Sequence, residues 1–503
     1  MVDGQTKMLG RTFSQCSGCS QDNGIDEWYD EFIVEQIHTE VCAVKPFPET
    51  LLFDLKQLTA EDRATTSESV LALHSKDESH HSPVMPDVVV FPVSAQEVSS
   101  ILKYANEYKI PVVPFGAGSS LEGHCVPLKG GISLDFSQMN QILEVRPEDF
   151  LVRVQPGVTR TQLNQALKKY GLFFPVDPGA DASLGGMAAT NASGTMSVRY
   201  GIMRDQVRDL EVVLADGSVI HTGGLAAKSS SGYHLTSLFV GSEGTLGVFT
   251  EITLKVYGIP ETMVAGRATF PTVKEAVDAA IALLSAGISI GRVELVDQVS
   301  IKQVNKHSET HYPEQPTLFL EFHGNEAGLK HDVDFATELL QEHGSGQFVF
   351  ESESKERAKL WEARHNLAYA FKHGHPGKEM MLTDVCLPLS ELSGAIVYAR
   401  EVIEQSGIPG GVLGHVGDGN FHSILMFDKK NPDEEKKALT INEKIVTYAL
   451  QKGGTCTGEH GIGIGKKKYL QIEHADTLPL MKMIKQSFDP NQILNPGKVI
   501  DLL

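Results

Sequence analysis

The pattern of apolar and polar residues predicts alternating short strands and amphipathic helices from about residue 86 onward. Residues 88–91 are a short apolar run, typical of a buried strand. Ser94 and Glu97 stand three positions apart, the spacing of a capping box that opens a helix. Residues 112–113 repeat the strand pattern and lead into a glycine-rich loop, so this region predicts a β-α-β unit. The apolar face predicted for the helix consists of Val98, Ile101, Leu102, Ala105 and Tyr108.

The same two periodicities continue along the chain. Turn residues, glycines and charged runs separate the periodic stretches and mark where each element ends. We predict a strand at residues 150–154, a helix over residues 163–170 that ends at Gly171, a hairpin over residues 210–220 around Asp216-Gly217, a strand at residues 317–322 and a charged surface loop at residues 431–437.

Breaks in the pattern divide the chain into three segments. Residues 1–82 are polar and weakly patterned, which predicts an N-terminal extension that is only partly ordered and ends in a solvated linker at residues 74–82. Residues 258–260 (Gly-Ile-Pro) interrupt the pattern and place a domain boundary near residue 258. The chain therefore predicts a first domain over residues 83–258 and a second over residues 259–503.

Length and charge exclude several classes of protein. A chain of 503 residues is too long for a peptide, a toxin or a small binding module. Its 44 Lys and Arg residues against 64 Asp and Glu residues give a formal charge of −20, which disfavours nucleic acid as a partner. No apolar run reaches the roughly 18 residues of a membrane-spanning helix, so we predict no transmembrane segment and leave open peripheral contact with a membrane.

The cysteines favour a reducing compartment. They are scattered and too few for a disulfide framework in a chain of this size. The N-terminus lacks the hydrophobic core of a signal peptide, and its acidic residues from Asp22 onward spoil an arginine-rich transit pattern. The six positions are Cys16, Cys19, Cys42, Cys125, Cys386 and Cys456.

Three glycine-rich loops follow strand-like runs, at residues 114–123, 178–194 and 240–247. Glycines let backbone N–H groups turn toward an anion and let a large flat ligand approach the backbone closely. Each loop alone is compatible with ordinary turn chemistry, but three together favour one extended dinucleotide. The chain has no G-x-G-x-x-G fingerprint, Walker A loop, H-E-x-x-H or G-x-S-x-G motif, which disfavours a Rossmann NAD enzyme.

A second candidate site consists of histidines. His415 and His422 flank the turn Val-Gly-Asp-Gly-Asn-Phe, which can bring both imidazoles together from adjacent strands. Glu459 can add an oxygen ligand from a distant glycine-rich loop. Two imidazoles and a carboxylate suit Zn²⁺ or Mn²⁺ with open coordination positions. The alternative that spacing alone leaves open is a pair of histidines satisfied within a polar hairpin.

These loops, together with residues 175–183, 414–422, 455–461 and 495–498, resemble the FAD-binding oxidoreductases of the vanillyl-alcohol oxidase type. The resemblance covers about residues 80 to 500. It implies an α/β (α+β) protein, with a p-cresol methylhydroxylase-type (PCMH-type) FAD-binding domain followed by an FAD-linked oxidase C-terminal domain that has a mixed or antiparallel sheet and helices.

The resemblance also implies an activity. We expect an FAD-dependent dehydrogenase that oxidises D-lactate and related D-2-hydroxy acids to 2-oxo acids, with hydride transfer to flavin N5 and metal-assisted loss of the hydroxyl proton. Oxidation of D-2-hydroxyglutarate or glycolate is the alternative, and a flavin-dependent transferase acting on an ether-lipid precursor is the non-redox one. The resemblance implies a mitochondrial location and an electron acceptor such as cytochrome c.

The resemblance implies that the glycine-rich loops hold FAD. The histidine that tethers flavin in some members lies in the first loop, where this chain has small residues, so we expect noncovalent FAD, with His124 just beyond the loop as the alternative attachment point. The expected contacts are Pro114, Gly116, Ala117, Gly118, Ser119, Ser120, Pro178, Gly179, Ala182, Ser183, Gly186, Ala188, Asn191, Gly194, Gly241, Glu243, Gly244, Gly247 and Asn495.

Two catalytic residues are expected beside the metal ligands, one from the chemistry and one from the resemblance. His460 is the expected base, and Arg364 matches the arginine that binds the substrate carboxylate. The alternative for His460 is a buried structural histidine, and without the family Arg364 would be interpreted as a helix-surface arginine. Leu382 stands where relatives that oxidise a dicarboxylate resemble one another in carrying a lysine, which argues against hydroxyglutarate as substrate.

Overall fold

Two systems of β-sheet meet near residue 258 in this computed structural model, which describes residues 47–346 and 348–502. Cys16, Cys19 and Cys42 lie outside the described residues, as does most of the predicted N-terminal extension. Cys125, Cys386 and Cys456 are free thiols. None of the described helices is both long enough and apolar enough to cross a membrane.

The first system contains a four-stranded sheet in the order β1-β2-β4-β3, a five-stranded antiparallel sheet in the order β5-β6-β10-β8-β9, and a ribbon of β7 and β11. In the four-stranded sheet, β2, β4 and β3 are parallel and β1 is antiparallel. The strands are β1 Ala64–Thr65, β2 Val88–Val90, β3 Val112–Phe115, β4 Ile132–Asp135, β5 Ile142–Arg146, β6 Leu151–Val154, β7 Leu172–Phe173, β8 Val207–Val213, β9 Val219–His221, β10 Val248–Lys255 and β11 Tyr257–Gly258.

Helices accompany the sheets of the first system, and most of them bury apolar side chains. They are α1 Leu51–Leu58, α2 Glu68–Leu73, α3 Ala95–Tyr108, α4 Arg160–Leu167, α5 Leu184–Thr190, α6 Ser197–Tyr200, α7 Met203–Gln206 and α8 Leu235–Phe239, with 3-10 turns at Phe136–Gln138, Pro147–Asp149 and Lys168–Tyr170.

The second system is a single large sheet in the order β15-β12-β14-β13-β18-β19-β16, with β17 paired to β19. Every strand pair in it is antiparallel. The strands are β12 Thr262–Thr269, β13 Ile290–Val296, β14 Thr317–Gly324, β15 Phe348–Glu351, β16 Glu379–Leu382, β17 Val385–Cys386, β18 Gly410–Gly414 and β19 Asn420–Phe427.

Helices pack on both faces of this large sheet. Helices α9, α11, α14 and α15 share one apolar core with the sheet, and α10, α12 and α13 share another with its opposite face. The helices of this half are α9 Val273–Ser285, α10 Gln298–Ser308, α11 Glu326–Glu342, α12 Ser354–His365, α13 Leu367–Gly374, α14 Leu389–Ser406, α15 Pro432–Gln451, α16 Lys467–Glu473 and α17 Leu478–Phe488.

The predicted α/β (α+β) class is confirmed, as are most of the predicted elements. Ser94 caps α3 by accepting a hydrogen bond from the Glu97 N–H. The hairpin around Asp216-Gly217 joins β8 to β9. The helix ended by Gly171 continues α4 through a 3-10 turn, and Gly171 has the positive φ of 69° that suits glycine at a helix end.

Four local predictions were wrong. Residues 74–82 are not a solvated linker, because His74, Ser75 and Asp77 are buried and His74 Nε2 lies 2.8 Å from the Asp135 carboxylate. Tyr108 is 48% exposed, since it lies on the last turn of α3. Phe150 is a left-handed, exposed residue before β6. Residues 432–437 begin helix α15, whose acidic first turn suits the positive end of the helix dipole.

The C-terminal segment returns to the first sheet system. The Val112 N–H donates to the Ile493 carbonyl at 2.7 Å, and the Asn495 N–H donates to the Val112 carbonyl at 2.8 Å. Lys485 Nζ donates to the Thr245 carbonyl at 2.7 Å. The segment that follows α17 therefore packs with residues from the first half, although the predicted bounds assign it to the second.

Candidate functional site

A cavity of about 750 Å³ lies between the glycine-rich loops and the sheet of the second system. This volume is within the range of small-molecule and cofactor sites, roughly 300–1,000 Å³. All three predicted loops contribute to its wall. The predicted cofactor residues that line it are Pro114, Gly116, Ala117, Gly118, Ser119, Ser120, Pro178, Gly179, Ala182, Ser183, Gly186, Glu243, Gly244, Gly247 and Asn495.

Four predicted cofactor residues lie behind this wall instead. Ala188 is fully buried in the apolar core, and its carbonyl accepts the Gly241 N–H at 2.9 Å. Asn191 ends α5 and accepts the Arg204 N–H. A side chain at Gly194 would meet the Asp177 backbone at 2.5 Å. These residues shape the loops through close backbone packing and do not line the cavity.

The first two glycine-rich loops pack against each other at the cavity wall. Ser183 caps α5 by accepting the Gly186 N–H, and a Cβ at Gly116 would lie 2.3 Å from the Ser183 hydroxyl. Glycine is required at position 116 because the helix cap occupies the space of a side chain. By contrast, a Cβ at Gly179 on the same cavity would meet nothing within 4 Å.

The strands β18 and β19 bring the two predicted histidine ligands together. His415 follows β18, His422 lies on β19, and their ring centroids are 5.5 Å apart. Glu459 Oε1 lies 3.5 Å from His415 Nε2 and 3.2 Å from His422 Nε2. Ligand atoms bound at about 2.1 Å to one tetrahedral ion are separated by about 3.4 Å. The two distances from Glu459 fit a divalent metal, and the three ligand atoms lie within 4.8 Å of one another.

Hydrogen bonds on the far side of each ring orient both imidazoles. His415 Nδ1 lies 2.6 Å from Glu294, and His422 Nδ1 lies 3.2 Å from the Thr383 carbonyl, so each ring presents Nε2 to Glu459. Such outer partners fix the tautomer of a metal-binding histidine. Burial alone would lower the pKa of His415, but Glu294 and Glu459 raise that pKa well above its usual value, so a metal would displace a proton on binding.

Glu294 is a site residue that the sequence prediction missed. It is fully buried on β13, and its second oxygen accepts a hydrogen bond from Arg364 Nη2 at 2.6 Å. Arg364 lies in the last turn of α12, is 8% exposed and lines the cavity, so it is not a helix-surface arginine. Its buried Nε has no partner among the described residues, which leaves that N–H for an anionic ligand. An acid within an apolar strand was the available signal for Glu294.

His460 lies next to Glu459 and lines the same cavity. Its ring stacks on His422, with centroids 5.1 Å apart. Burial lowers the pKa of His460 to about 4, so the imidazole is neutral at physiological pH. Its buried Nδ1 has no hydrogen-bond partner within the described part of the chain. A neutral, unpartnered imidazole nitrogen can accept a proton.

The cavity has an apolar wall beside these polar groups. Met380 and Leu382 alternate on β16, Ile424 pairs with Leu382 across β19, and Leu413 lies on β18. Their side chains line the cavity together with Arg364. This arrangement offers one fixed cation for a carboxylate and an apolar wall for the rest of a small ligand.

Trp361, Asn420 and His124 have hydrogen-bond or ion-pair partners within the fold. Trp361 is buried and donates to Glu321 at 2.7 Å, whereas Tyr369 is 59% exposed and lines the cavity. Asn420 donates to Asp384 at 2.7 Å and to the Val385 carbonyl. His124 lines the cavity with Nε2 3.0 Å from Glu243.

Comparisons with known proteins match both halves of the chain. A family model described as "FAD binding domain" matches residues 86–223, and one described as "FAD linked oxidases, C-terminal domain" matches residues 259–499. These matches confirm the predicted order of an FAD-binding domain and an FAD-linked oxidase C-terminal domain. They also support FAD as the cofactor of the glycine-rich loops.

The chain is similar to two curated proteins over most of its length. It is 44% identical to "Probable D-lactate dehydrogenase, mitochondrial" of Danio rerio, over 90% of this chain and 92% of that protein. It is 45% identical to "D-lactate dehydrogenase (cytochrome), mitochondrial" of Arabidopsis thaliana, over 91% of this chain and 81% of that protein. A solved structure of p-cresol methylhydroxylase with substrate bound matches in fold, with a TM-score of 0.76 at 20% identity over 90% of this chain and 96% of that one.

We expect Gly116→Ala to weaken FAD binding at least about tenfold, because the new methyl group displaces the Ser183 cap from the cavity wall. Titration of the flavin-free protein with FAD, followed by fluorescence, measures the dissociation constant. Gly224→Ala is the control, since a Cβ there meets nothing within 4 Å and the residue does not line the cavity. Equal affinity in both variants would contradict the close packing of the two loops.

Proposed function

Since this chain belongs to the family of FAD-linked oxidases, we propose that it oxidises D-lactate and related D-2-hydroxy acids to 2-oxo acids. The observation that carries the proposal is the meeting of Arg364, His460 and the His415, His422 and Glu459 cluster on one cavity lined by the glycine-rich loops. Flavin-dependent oxidation of a 2-hydroxy acid calls for a carboxylate-binding cation and a proton acceptor, and a metal site beside them would assist loss of the hydroxyl proton.

Each residue has a defined part in this proposal. Arg364, held by Glu294, binds the substrate carboxylate through its free Nε–H and fixes the orientation of the acid. His460 accepts the hydroxyl proton on its unpartnered Nδ1. The apolar wall of Met380, Leu382 and Leu413 excludes water and accommodates the side chain of lactate or of a longer or branched acid.

Two bound groups complete the proposed chemistry. The glycine-rich loops would hold FAD, which we propose is bound noncovalently, and the bound flavin would supply the acceptor for the hydride of the substrate Cα. His415, His422 and Glu459 would hold a divalent ion, Zn²⁺ or Mn²⁺, which would lower the pKa of the substrate hydroxyl. His415 and His422 keep the Glu459 carboxylate ionised for this purpose, since they lower its pKa well below the usual value although burial alone would raise it.

We further propose that electrons leave the protein to cytochrome c and that the chain acts in the mitochondrion. The acceptor rests on the word cytochrome in the name of the Arabidopsis thaliana relative, and the location rests on the word mitochondrial in the names of both relatives. The formal charge of −20 is compatible with a basic electron acceptor.

The proposed activity is tested by the visible spectrum of the flavin-loaded protein under anaerobic conditions. We expect D-lactate to bleach the flavin band and L-lactate to leave it unchanged, because the carboxylate and hydroxyl subsites orient only one enantiomer for transfer. A flavin band that bleaches equally with both enantiomers, or with neither enantiomer of any 2-hydroxy acid, would contradict the proposal.

We expect His460→Asn to retain FAD and to slow flavin reduction by D-lactate about 10²- to 10⁴-fold, because the variant removes the proton acceptor. Stopped-flow absorbance under anaerobic conditions measures the rate constant. His307 lies on α10 and does not line the cavity, so His307→Asn is the control. Its flavin should be reduced by D-lactate at the normal rate. Normal reduction in His460→Asn would remove this residue as the base.

We expect Leu382→Lys to shift the preference from D-lactate toward D-2-hydroxyglutarate by at least about tenfold in kcat/KM, because a lysine there adds a cation for a second carboxylate. Steady-state kinetics with both acids measure the ratio. Leu439→Lys adds the same charge at an exposed site on α15 and should leave the ratio unchanged. An unchanged ratio in both variants would show that position 382 does not face the distal end of the substrate.

A further inference from the structure

Glu459 and His460 both lie on residues 455–464, a partly buried loop with little regular secondary structure. In a protein interior, each backbone N–H of such a loop needs an acceptor. Every amide of the loop has an acceptor. The N–H groups of Gly458, Glu459 and His460 donate to Asp384, and those of Ile462 and Gly463 donate to Glu243. The remaining N–H groups donate as follows: Thr455 to the Cys386 carbonyl; Cys456 to Glu473; Thr457 to the Thr455 hydroxyl; Gly461 to the Thr457 hydroxyl; and Ile464 to the Glu122 carbonyl.

Asp384 is the acceptor for the part of the loop that carries the proposed chemistry. It follows β16 and is fully buried. One oxygen, Oδ2, accepts the N–H groups of Gly458, Glu459 and His460 at 2.9, 3.0 and 2.9 Å, and the Thr457 hydroxyl at 2.7 Å. The other oxygen, Oδ1, accepts from the Asn420 amide at 2.7 Å.

Asp384 also belongs to a second cluster of possible metal ligands, with His422 and His460, whose ligand atoms lie within 4.8 Å of one another. Its hydrogen bonds argue against that use. Both carboxylate oxygens already face N–H and O–H hydrogens, which would repel a cation placed beside them. His415, His422 and Glu459 present ligand atoms that carry no such set of backbone donors.

We propose that Asp384 is a positioning residue: its carboxylate fixes the backbone of residues 457–460 and thereby directs Glu459 toward His415 and His422 and holds His460 beside them. This inference rests on the roles proposed above for Glu459 and His460. The charge of Asp384 contributes to the effect, because hydrogen bonds to an ionised acceptor are roughly twice as strong as neutral ones. Lys466, 3.5 Å from Oδ2 and 3.3 Å from Glu122, supplies the buried counter-charge.

The test is amide hydrogen exchange in the flavin-loaded, metal-free protein. We expect Asp384→Asn to speed exchange in the peptide covering residues 456–462 at least about tenfold, because the neutral amide side chain accepts the three N–H groups poorly. Asp297→Asn is the matched control. Asp297 is a buried carboxylate of the same half that accepts the Ser300 and Val412 N–H groups, and its substitution should leave residues 456–462 unchanged.

A second readout is the affinity of the flavin-loaded protein for Mn²⁺, titrated by electron paramagnetic resonance. We expect Asp384→Asn to weaken Mn²⁺ binding about 10- to 100-fold and Asp297→Asn to leave it unchanged. Thr457→Val serves if Asp384→Asn does not fold, because it removes one donor to Asp384 and the acceptor of the Gly461 N–H, and it should raise exchange in the same peptide.

The outcomes separate the positioning role from the proposed function. Unchanged exchange of residues 456–462 in Asp384→Asn would overturn the positioning role. If Mn²⁺ binding were also lost completely, Asp384 would be a metal ligand. Faster exchange in Asp384→Asn would support the positioning role even if the unsubstituted protein bound no Mn²⁺. Such a lack of Mn²⁺ binding would contradict the proposed metal site.

Discussion

The site depends on the requirement that each backbone N–H removed from water must find an acceptor inside the protein. Residues 455–464 meet it with two buried carboxylates, Asp384 and Glu243, which together accept five of their amides. Burial alone would raise the pKa of both carboxyl groups, but His460 and Lys466 near Asp384, and His124 with the loop amides near Glu243, lower each pKa. Because these acceptors come from both sheet systems, the loop lies where the glycine-rich loops and the histidine hairpin meet.

A third buried carboxylate, Glu294, sets the other side of the site. It bonds to His415 through one oxygen and to Arg364 through the other. The proposed metal end and the proposed carboxylate end of the substrate site are therefore held by one side chain on a central strand of the large sheet. Ionised groups buried in this way need complete pairing, which makes their relative geometry rigid.

Periodicity, the glycine-rich loops and the histidine hairpin are local signals, and they predicted several strands and helices and part of the cavity lining. The fold class followed from the family resemblance that these motifs carry. Glu294 and Asp384 were missed because their partners lie far along the chain. Periodicity shows where an acid is buried in a strand, but not which distant N–H or imidazole it will bond. Ala188 and Gly194 were placed on the cofactor because small residues suit both ligand approach and backbone packing, and only the tertiary contacts separate the two uses.

The most direct test of this arrangement is an anomalous difference map from crystals of the flavin-loaded protein grown with Mn²⁺. We expect one peak bonded to His415 Nε2, His422 Nε2 and Glu459, with the Asp384 carboxylate still on the amides of residues 458–460. A peak bonded to Asp384, His422 and His460 would contradict both the proposed metal ligands and the role of Asp384.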